Sequence, residues 1–401
     1  MAGTTEIHSL FAERKYACLD YYDVSVLSKA QKVTIVEEMS NILHAFLKYI
    51  GHSHEVPEKD SCLRESLWRW ARTELTRATS CDIASLNTLL EEAVSSTEGY
   101  YPVASHEVRL MMAKATALAI SLDSNFLSPE AKEKLPHSQN RFWQGLEPED
   151  VWSPVFFNFV GECAGLFGAN NPLLGTLVSS GWSRWLDGCL LEEQLWGIVQ
   201  NIGDKEGQAL DTNFCPIEDF PYYLRTLTGA PISYCVPAFK PSREVEVPYS
   251  VWFSYAPALT TVINLGNDLF SYPKEVFDGE KVNYVSLVTQ IKRASGCRSR
   301  FAEGSLWTFR DTICDLFQRL LQSCEVLEQA FKVPRQCNEA DEISRYGSTS
   351  SDLNLANYLC HEFIHGYLGW HVNSPRYRLD SLRARLTSDA SGEVQCNTTC
   401  I

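Results

Sequence analysis

The chain has 401 residues, 45% of them hydrophobic and 21% charged, the balance of a globular protein with a large core. Its formal net charge of −15, with no cluster of Lys and Arg, argues against nucleic acid as a partner. No uninterrupted apolar run of about 18 residues occurs, which argues against a helical membrane span.

The N-terminus, Met1-Ala2-Gly3-Thr4-Thr5-Glu6, has no basic stretch followed by an apolar one, so no signal peptide is expected. The 14 cysteines form no C-x-x-C pair, and reduced thiols in a cytoplasmic protein are the simplest account. Cys400 is second from the end, whereas a prenylation box needs it fourth.

Taken in chain order, residues 1–30 are mixed and read as a loosely held N-terminal segment. From Ala30 to Ile50 apolar residues recur at helical spacing: Val33, Ile35, Val36, Met39, Ile42, Leu43, Phe46, Leu47. Asp60–Thr79 and Asp82–Val94 read as two further helices, before a break at Gly99-Tyr100-Tyr101-Pro102. Val103–Leu122 is long, apolar and ends at Asp123. Ser128–His137 is charged and loop-like. Helices follow over Val151–Gly168, Thr176–Gly197, Asp219–Thr228, Pro248–Phe277, Val285–Arg293, Leu306–Phe331 and Asp352–His371. Loops are expected over Asn201–Asp211 and Pro334–Ser351. The expectation is an all-α protein with one helical domain over 31–385 and a disordered tail over 386–401. Both a monomer and a homodimer stay open.

Three stretches carry chemistry. In Gly266-Asn267-Asp268-Leu269-Phe270-Ser271-Tyr272-Pro273-Lys274-Glu275, the residues Asn267, Ser271 and Glu275 are spaced i, i+4, i+8. Each step of four advances about 400° on a helix, so the column drifts by about 40° per step. Asp268 lies about 100° off it. Hard oxygen donors in a column suit Mg²⁺, though a polar helix face would also read this way. Pro273 should kink the helix, because it removes one hydrogen bond and crowds the Leu269 carbonyl. Next, Asp123 closes an apolar run and is followed by Ser124, Asn125 and Phe126. Finally, Phe363-Ile364-His365-Gly366-Tyr367-Leu368-Gly369-Trp370-His371 leads to Arg376-Tyr377-Arg378-Leu379.

The column resembles the Asn/Ser/Glu metal motif of class I terpene synthases. The stretch 363–379 is similar to the C-terminal signature of trichodiene synthase-type sesquiterpene synthases. Together the motifs span roughly residues 100–385. The resemblance implies a class I terpenoid synthase fold, a helical bundle around a deep apolar cavity. It implies ionisation of a prenyl diphosphate, farnesyl diphosphate foremost, and cyclisation of the carbocation to a sesquiterpene. Asp123 matches the first acid of the family's aspartate-rich motif, whose other acids are missing here. With Asn267, Ser271 and Glu275 it would hold three Mg²⁺. Arg225, Lys274, Arg376 and Tyr377 match the groups that bind the diphosphate. Phe126, Trp307, Tyr367 and Trp370 are candidates for facing the migrating cation; each also suits ordinary core packing.

Two rival readings share these residues. His361-Glu362-Phe363-Ile364-His365 matches H-E-x-x-H, with His371 where a third zinc ligand would stand. Against a zinc hydrolase, Leu368 replaces the turn glycine, no Met follows Met112, and the upstream chain reads helical. The other is a noncatalytic helical binding protein, suggested by the depleted acid motif.

Overall fold

The computed structural model describes residues 4–124, 126–203, 217–331 and 350–391. Asn125, most of the two expected loops and the last ten residues lie outside them. Among the described residues there are seventeen α-helices and no strand, only a single bridge between Arg298 and Leu306. In order they are α1 (Thr4–Phe11), α2 (Lys29–Tyr49), α3 (Ser61–Trp70), α4 (Thr76–Thr79), α5 (Asn87–Tyr100), α6 (His106–Asp123), α7 (Pro129–Trp143), α8 (Ser153–Phe167) and α9 (Pro172–Gly203). After the interval come α10 (Phe220–Thr228), α11 (Pro231–Phe239), α12 (Tyr249–Trp252), α13 (Ala256–Asp278), α14 (Tyr284–Ala294), α15 (Phe309–Ala330), α16 (Ser350–Asn373) and α17 (Asp380–Ser391). No helix among them is long and apolar enough to cross a membrane.

Helix α2 forms for local reasons. Ser28 and Gln31 make a reciprocal capping box, which satisfies free N–H groups of the first turn. Its buried face, Ile35, Met39, Ile42, Leu43, Phe46 and Leu47, is the one its spacing predicts. Phe46 then packs edge-on against Phe270 of α13 and Phe317 of α15, with ring centroids at 6.4 and 5.4 Å.

Helix α13 is the centre of the bundle. Fifteen of its 23 residues are buried, so it is covered on nearly all sides. It runs unbroken through Pro273, and Lys274 and Glu275 stay helical; the expected kink does not end it. Helix α16 lies against α13 and α5. Its approach to α5 is close enough that a Cβ on Gly366 would sit 1.8 Å from the Gly99 carbonyl oxygen. Only glycine fits there, which gives the His-Gly-Tyr stretch a packing reason.

Three expectations are corrected. The N-terminal segment is not loose: Ile7, Phe11, Tyr16 and Leu19 are buried, and Arg310 reaches back to Asp20 at 2.8 Å. Ser128–His137 is not a loop but the start of α7, capped by Ser128 on the Ala131 N–H at 3.1 Å. Its polar composition hid it, as Pro231 and Pro237 hid α11. Lastly, the chain is helical to Ser391, past the tail boundary set at 386. One continuous apolar core runs from Ile7 to Leu386.

Candidate active site

A cavity of about 230 Å³ opens between seven helices and the turn after α16. From α6 it receives Thr116, Ala119, Ile120 and Asp123, one face of the helix at three- and four-residue spacing. From α9 it receives Trp182, Trp185, Cys189 and Glu192, again at spacings of three and four. The break between α10 and α11 supplies Arg225, Thr228, Gly229, Ala230 and Tyr234. Ile263 and Asn267 come from α13, Tyr367 and Trp370 from α16, then Arg376, Tyr377 and Tyr100.

One part of the lining is aromatic. The Tyr100 ring lies 4.9 Å from Tyr367 and 5.4 Å from Trp370 by centroid. Trp182 stands edge-on to Tyr234 at 5.5 Å. Two of the polar ends are satisfied: Tyr367 donates to the Ile263 carbonyl at 2.7 Å and Trp370 to Ser95 at 3.0 Å, whereas Trp182 Nε1 is buried without a partner.

The other part is ionic. Arg225 is committed at three points: Nε to Asp268 at 2.8 Å, Nη2 to the Asn267 oxygen at 3.0 Å, Nη1 to Thr228 at 2.8 Å. Burial acts to lower its pKa, but Asp268, Glu192 and Glu275 together raise it, so it is held charged. Asp268 itself is pushed up to about 6, because burial outweighs the guanidinium beside it. Arg376 pairs with Asp123 across the cavity and donates to Ser124 at 3.2 Å. Glu192 is pushed up to about 7 by burial, against the pull of Arg225 and with Asp123 and Asp268 adding to the rise.

Of the residues singled out in the sequence, Asp123, Arg225, Asn267, Tyr367, Trp370, Arg376 and Tyr377 line this one cavity. Ser271, Lys274 and Glu275 continue the α13 column beyond it. Ser271 donates to Glu275. The Glu275 carboxyl is pushed up to about 8 by burial, which that bond only partly offsets; Glu280 and Asp268 raise it further and Arg225 lowers it. Lys274 pairs with Glu280 at 2.6 Å, and the charges of Arg376 and Asp123 act on it. Asp123 and Asn267 face each other across the cavity, with Ser271 and Glu275 one and two turns further along α13.

Two expected lining residues are elsewhere. Phe126 belongs to the link between α6 and α7, beside Cys81. Trp307 donates to Thr312 at 2.9 Å under Arg300 and Lys292. Neither lines the cavity. Tyr100, Trp182, Trp185, Glu192 and Tyr234 were missed. The spacing 182-185-189-192 was the available signal for the α9 face.

The His361 and His365 rings lie 4.2 Å apart, but His371 does not join them. His365 stacks on His52, with Nδ1 atoms 3.2 Å apart, while His361 is exposed. His371 is buried on another side, against Tyr367 and Tyr377. Among the described residues no group of three or more His, Cys, Asp or Glu is suited to a metal ion. The zinc reading is withdrawn. The ten cysteines with described surroundings are free thiols.

No family model matches the chain. It is 22% identical to (E)-beta-farnesene synthase of Metarhizium brunneum over 302 residues, 75% of this chain and 76% of that protein. It is 22% identical to alpha-cuprenene synthase of Coprinopsis cinerea over 289 residues, 72% of each. The chain is a homologue of terpene synthases. Linalool/nerolidol synthase from Streptomyces clavuligerus, solved with 2-fluorogeranyl diphosphate, superposes with a TM-score of 0.52 at 15% identity, covering 79% of this chain and all of that one. The chain thus has the all-α class I terpenoid synthase fold, and the relatives it resembles in sequence are terpene synthases.

Proposed function

We propose that the chain ionises a prenyl diphosphate, farnesyl diphosphate foremost, and cyclises the carbocation to a sesquiterpene, releasing diphosphate. The observation that carries this reading is the single cavity in which Arg225, Arg376 and Asp123 meet a wall of buried aromatic rings. A substrate with a polyanionic head and an apolar tail needs both.

Asp123, Asn267, Ser271 and Glu275 fit Mg²⁺ by donor chemistry: every candidate atom is an oxygen, and the set spans both walls of the mouth. When bound, Mg²⁺ supplies positive charge to the leaving diphosphate as the C–O bond breaks. Arg225, Lys274, Arg376 and Tyr377 donate to diphosphate oxygens. Arg376 and Lys274 now hold Asp123 and Glu280, so taking up diphosphate exchanges one anion for another. In many enzymes, fixed donors aimed at developing charge provide most of the rate acceleration. Tyr100, Trp182, Tyr234, Tyr367 and Trp370 exclude water and face the cation, each aromatic contact contributing about 0.5–2 kcal/mol. Within the terpene synthases, we place the chain with the trichodiene synthase type, on the stretch 363–379.

Purified protein incubated with Mg²⁺ and geranyl, farnesyl or geranylgeranyl diphosphate is expected to release a cyclic hydrocarbon or alcohol from the farnesyl compound. Asn267→Ala and Glu275→Ala are expected to keep the fold and lose turnover by about 10²-fold or more. Turnover unchanged in both would remove the metal assignment. A folded wild-type protein that binds diphosphate but turns over none of the three substrates would instead favour the binding-protein reading.

A further inference from the structure

We infer that His371 is a positioning residue that locks the side-chain amide of Asn267, with its oxygen turned toward Arg225 and the cavity. The inference rests on the proposed role of Asn267 as a Mg²⁺ donor and deepens it. His371 is fully buried among the rings of Phe270, Tyr367, Trp370 and Tyr377. Its Nδ1 lies 2.8 Å from the Tyr367 carbonyl, one helical turn earlier. A carbonyl only accepts, so Nδ1 carries the hydrogen. With Nδ1 as the donor and an amide NH₂, which can only donate, facing Nε2, the ring presents a bare lone pair at Nε2.

That lone pair is 3.3 Å from the Asn267 amide nitrogen. The amide nitrogen donates to it, and the amide oxygen then faces the other way. There Arg225 Nη2 donates to it at 3.0 Å. The four groups form one directional chain, from the guanidinium through the amide and the imidazole to the Tyr367 carbonyl. Flipping the amide would set its oxygen against the Nε2 lone pair and its NH₂ against the guanidinium. Both contacts would be repulsive, so one orientation is selected.

The orientation matters because only the oxygen of an Asn can bind a hard cation. In the proposed reaction Arg225 also donates to the diphosphate. Once it does, its hold on the Asn267 oxygen weakens, and His371 alone keeps the amide from turning. The same bonds show why His371 is no zinc ligand: both nitrogens are in use.

The test follows binding of Mn²⁺ in the presence of inorganic diphosphate, by the electron paramagnetic resonance signal of the free ion, with thermal melts as a folding check. His371→Phe removes the acceptor and is expected to weaken Mn²⁺ binding about 10–100-fold, the usual cost of losing a group that orients a metal ligand. His371→Met is the second choice should the phenyl ring prevent folding. His371→Gln, whose amide oxygen reaches near the place of Nε2, is expected to retain most of the affinity. Asn267→Asp has two equivalent oxygens and no need of a lock, so His371→Phe in that background should add little further loss. Wild-type affinity in folded His371→Phe, or an equal loss when it is combined with Asn267→Asp, would overturn the inference. If Glu275→Ala abolishes Mn²⁺ binding while His371→Phe does not, only the role of His371 fails. If wild-type protein binds no Mn²⁺ with diphosphate, the magnesium reading itself fails.

Discussion

Four carboxyl groups in this chain are held out of water: Glu38 and Glu192 are pushed up to about 7, Asp268 to about 6 and Glu275 to about 8, burial being the first cause in each. Each folded pKa lies above the unfolded one. Their contribution to stability is therefore complete at low pH and is lost as pH rises through the folded values. The melting temperature of the ligand-free protein is expected to fall as pH rises from about 4.5, the unfolded carboxyl value, to about 8, the highest folded one, and to level off above it. Glu38 isolates the effect, because it does not line the cavity; its Oε1 accepts from the Cys18 N–H at 3.1 Å, and its Oε2 has no partner. Glu38→Gln keeps an acceptor for Cys18 and cannot ionise. It should flatten the pH slope by up to about 1.4 kcal/mol for each pH unit between the unfolded value of 4.5 and about 7. A variant with the wild-type slope would show that Glu38 ionises without penalty.

At the scale of the element, the crossing of α5 and α16 is the tightest contact that positions the cavity. Tyr100 follows Gly99, and Tyr367 follows Gly366, so both cavity rings hang from the glycine contact. Gly366→Ala places a methyl group on the Gly99 carbonyl and must push the helices apart. Overpacking of this kind costs about 1–3 kcal/mol, and the shift would move Tyr367 and Trp370 together. The expected outcome is a lower melting temperature with an altered product distribution; an unchanged melt would mean that the two helices have room to slide. Glycine also marks what the sequence could and could not tell. The run Gly99-Tyr100-Tyr101-Pro102 reads as a break, and the helix does end there, but nothing local says that Gly99 faces Gly366, far along the chain. Helices with an apolar period, such as α2 and α13, were legible because burial writes itself into spacing. Helix α7 was not, because its packed face mixes Ala131, Leu135 and Phe142 with Ser138 and Gln139, so no clear apolar stripe shows among its charged residues.

At the scale of the whole molecule, the cavity draws on segments from Tyr100 to Tyr377, and its two halves were unequally legible. In the ionic half, Asn267 heads a column legible from its i, i+4, i+8 spacing, whereas Asp123, Arg376 and Tyr377 are singled out by the resemblance to the family motifs. The aromatic half depends on which faces of α9 and α11 turn inward, which is a tertiary fact; Trp307 and Phe126 looked as suitable as Trp182 and Tyr234. The N-terminal segment was misjudged for a similar reason. Its apolar residues are few and irregular, yet Ile7, Phe11, Tyr16 and Leu19 are at most 4% exposed. Phe11 stands edge-on to Phe317 of α15 at 5.7 Å, and the Phe11 carbonyl and Asp20 both meet Arg310. Burying each such side chain stabilises by about 1.5–3 kcal/mol, so the four together amount to about 6–12 kcal/mol, comparable with the whole stability of a typical domain. Deleting residues 1–20 would also leave Arg310 buried without its acid, a further cost of about 3–5 kcal/mol. The truncated chain is therefore expected to be insoluble or to lose its cooperative melt, although no residue of the deleted segment lines the cavity. Recovery of a truncated protein that melts as wild type does would show that α1 is held by less than its burial implies.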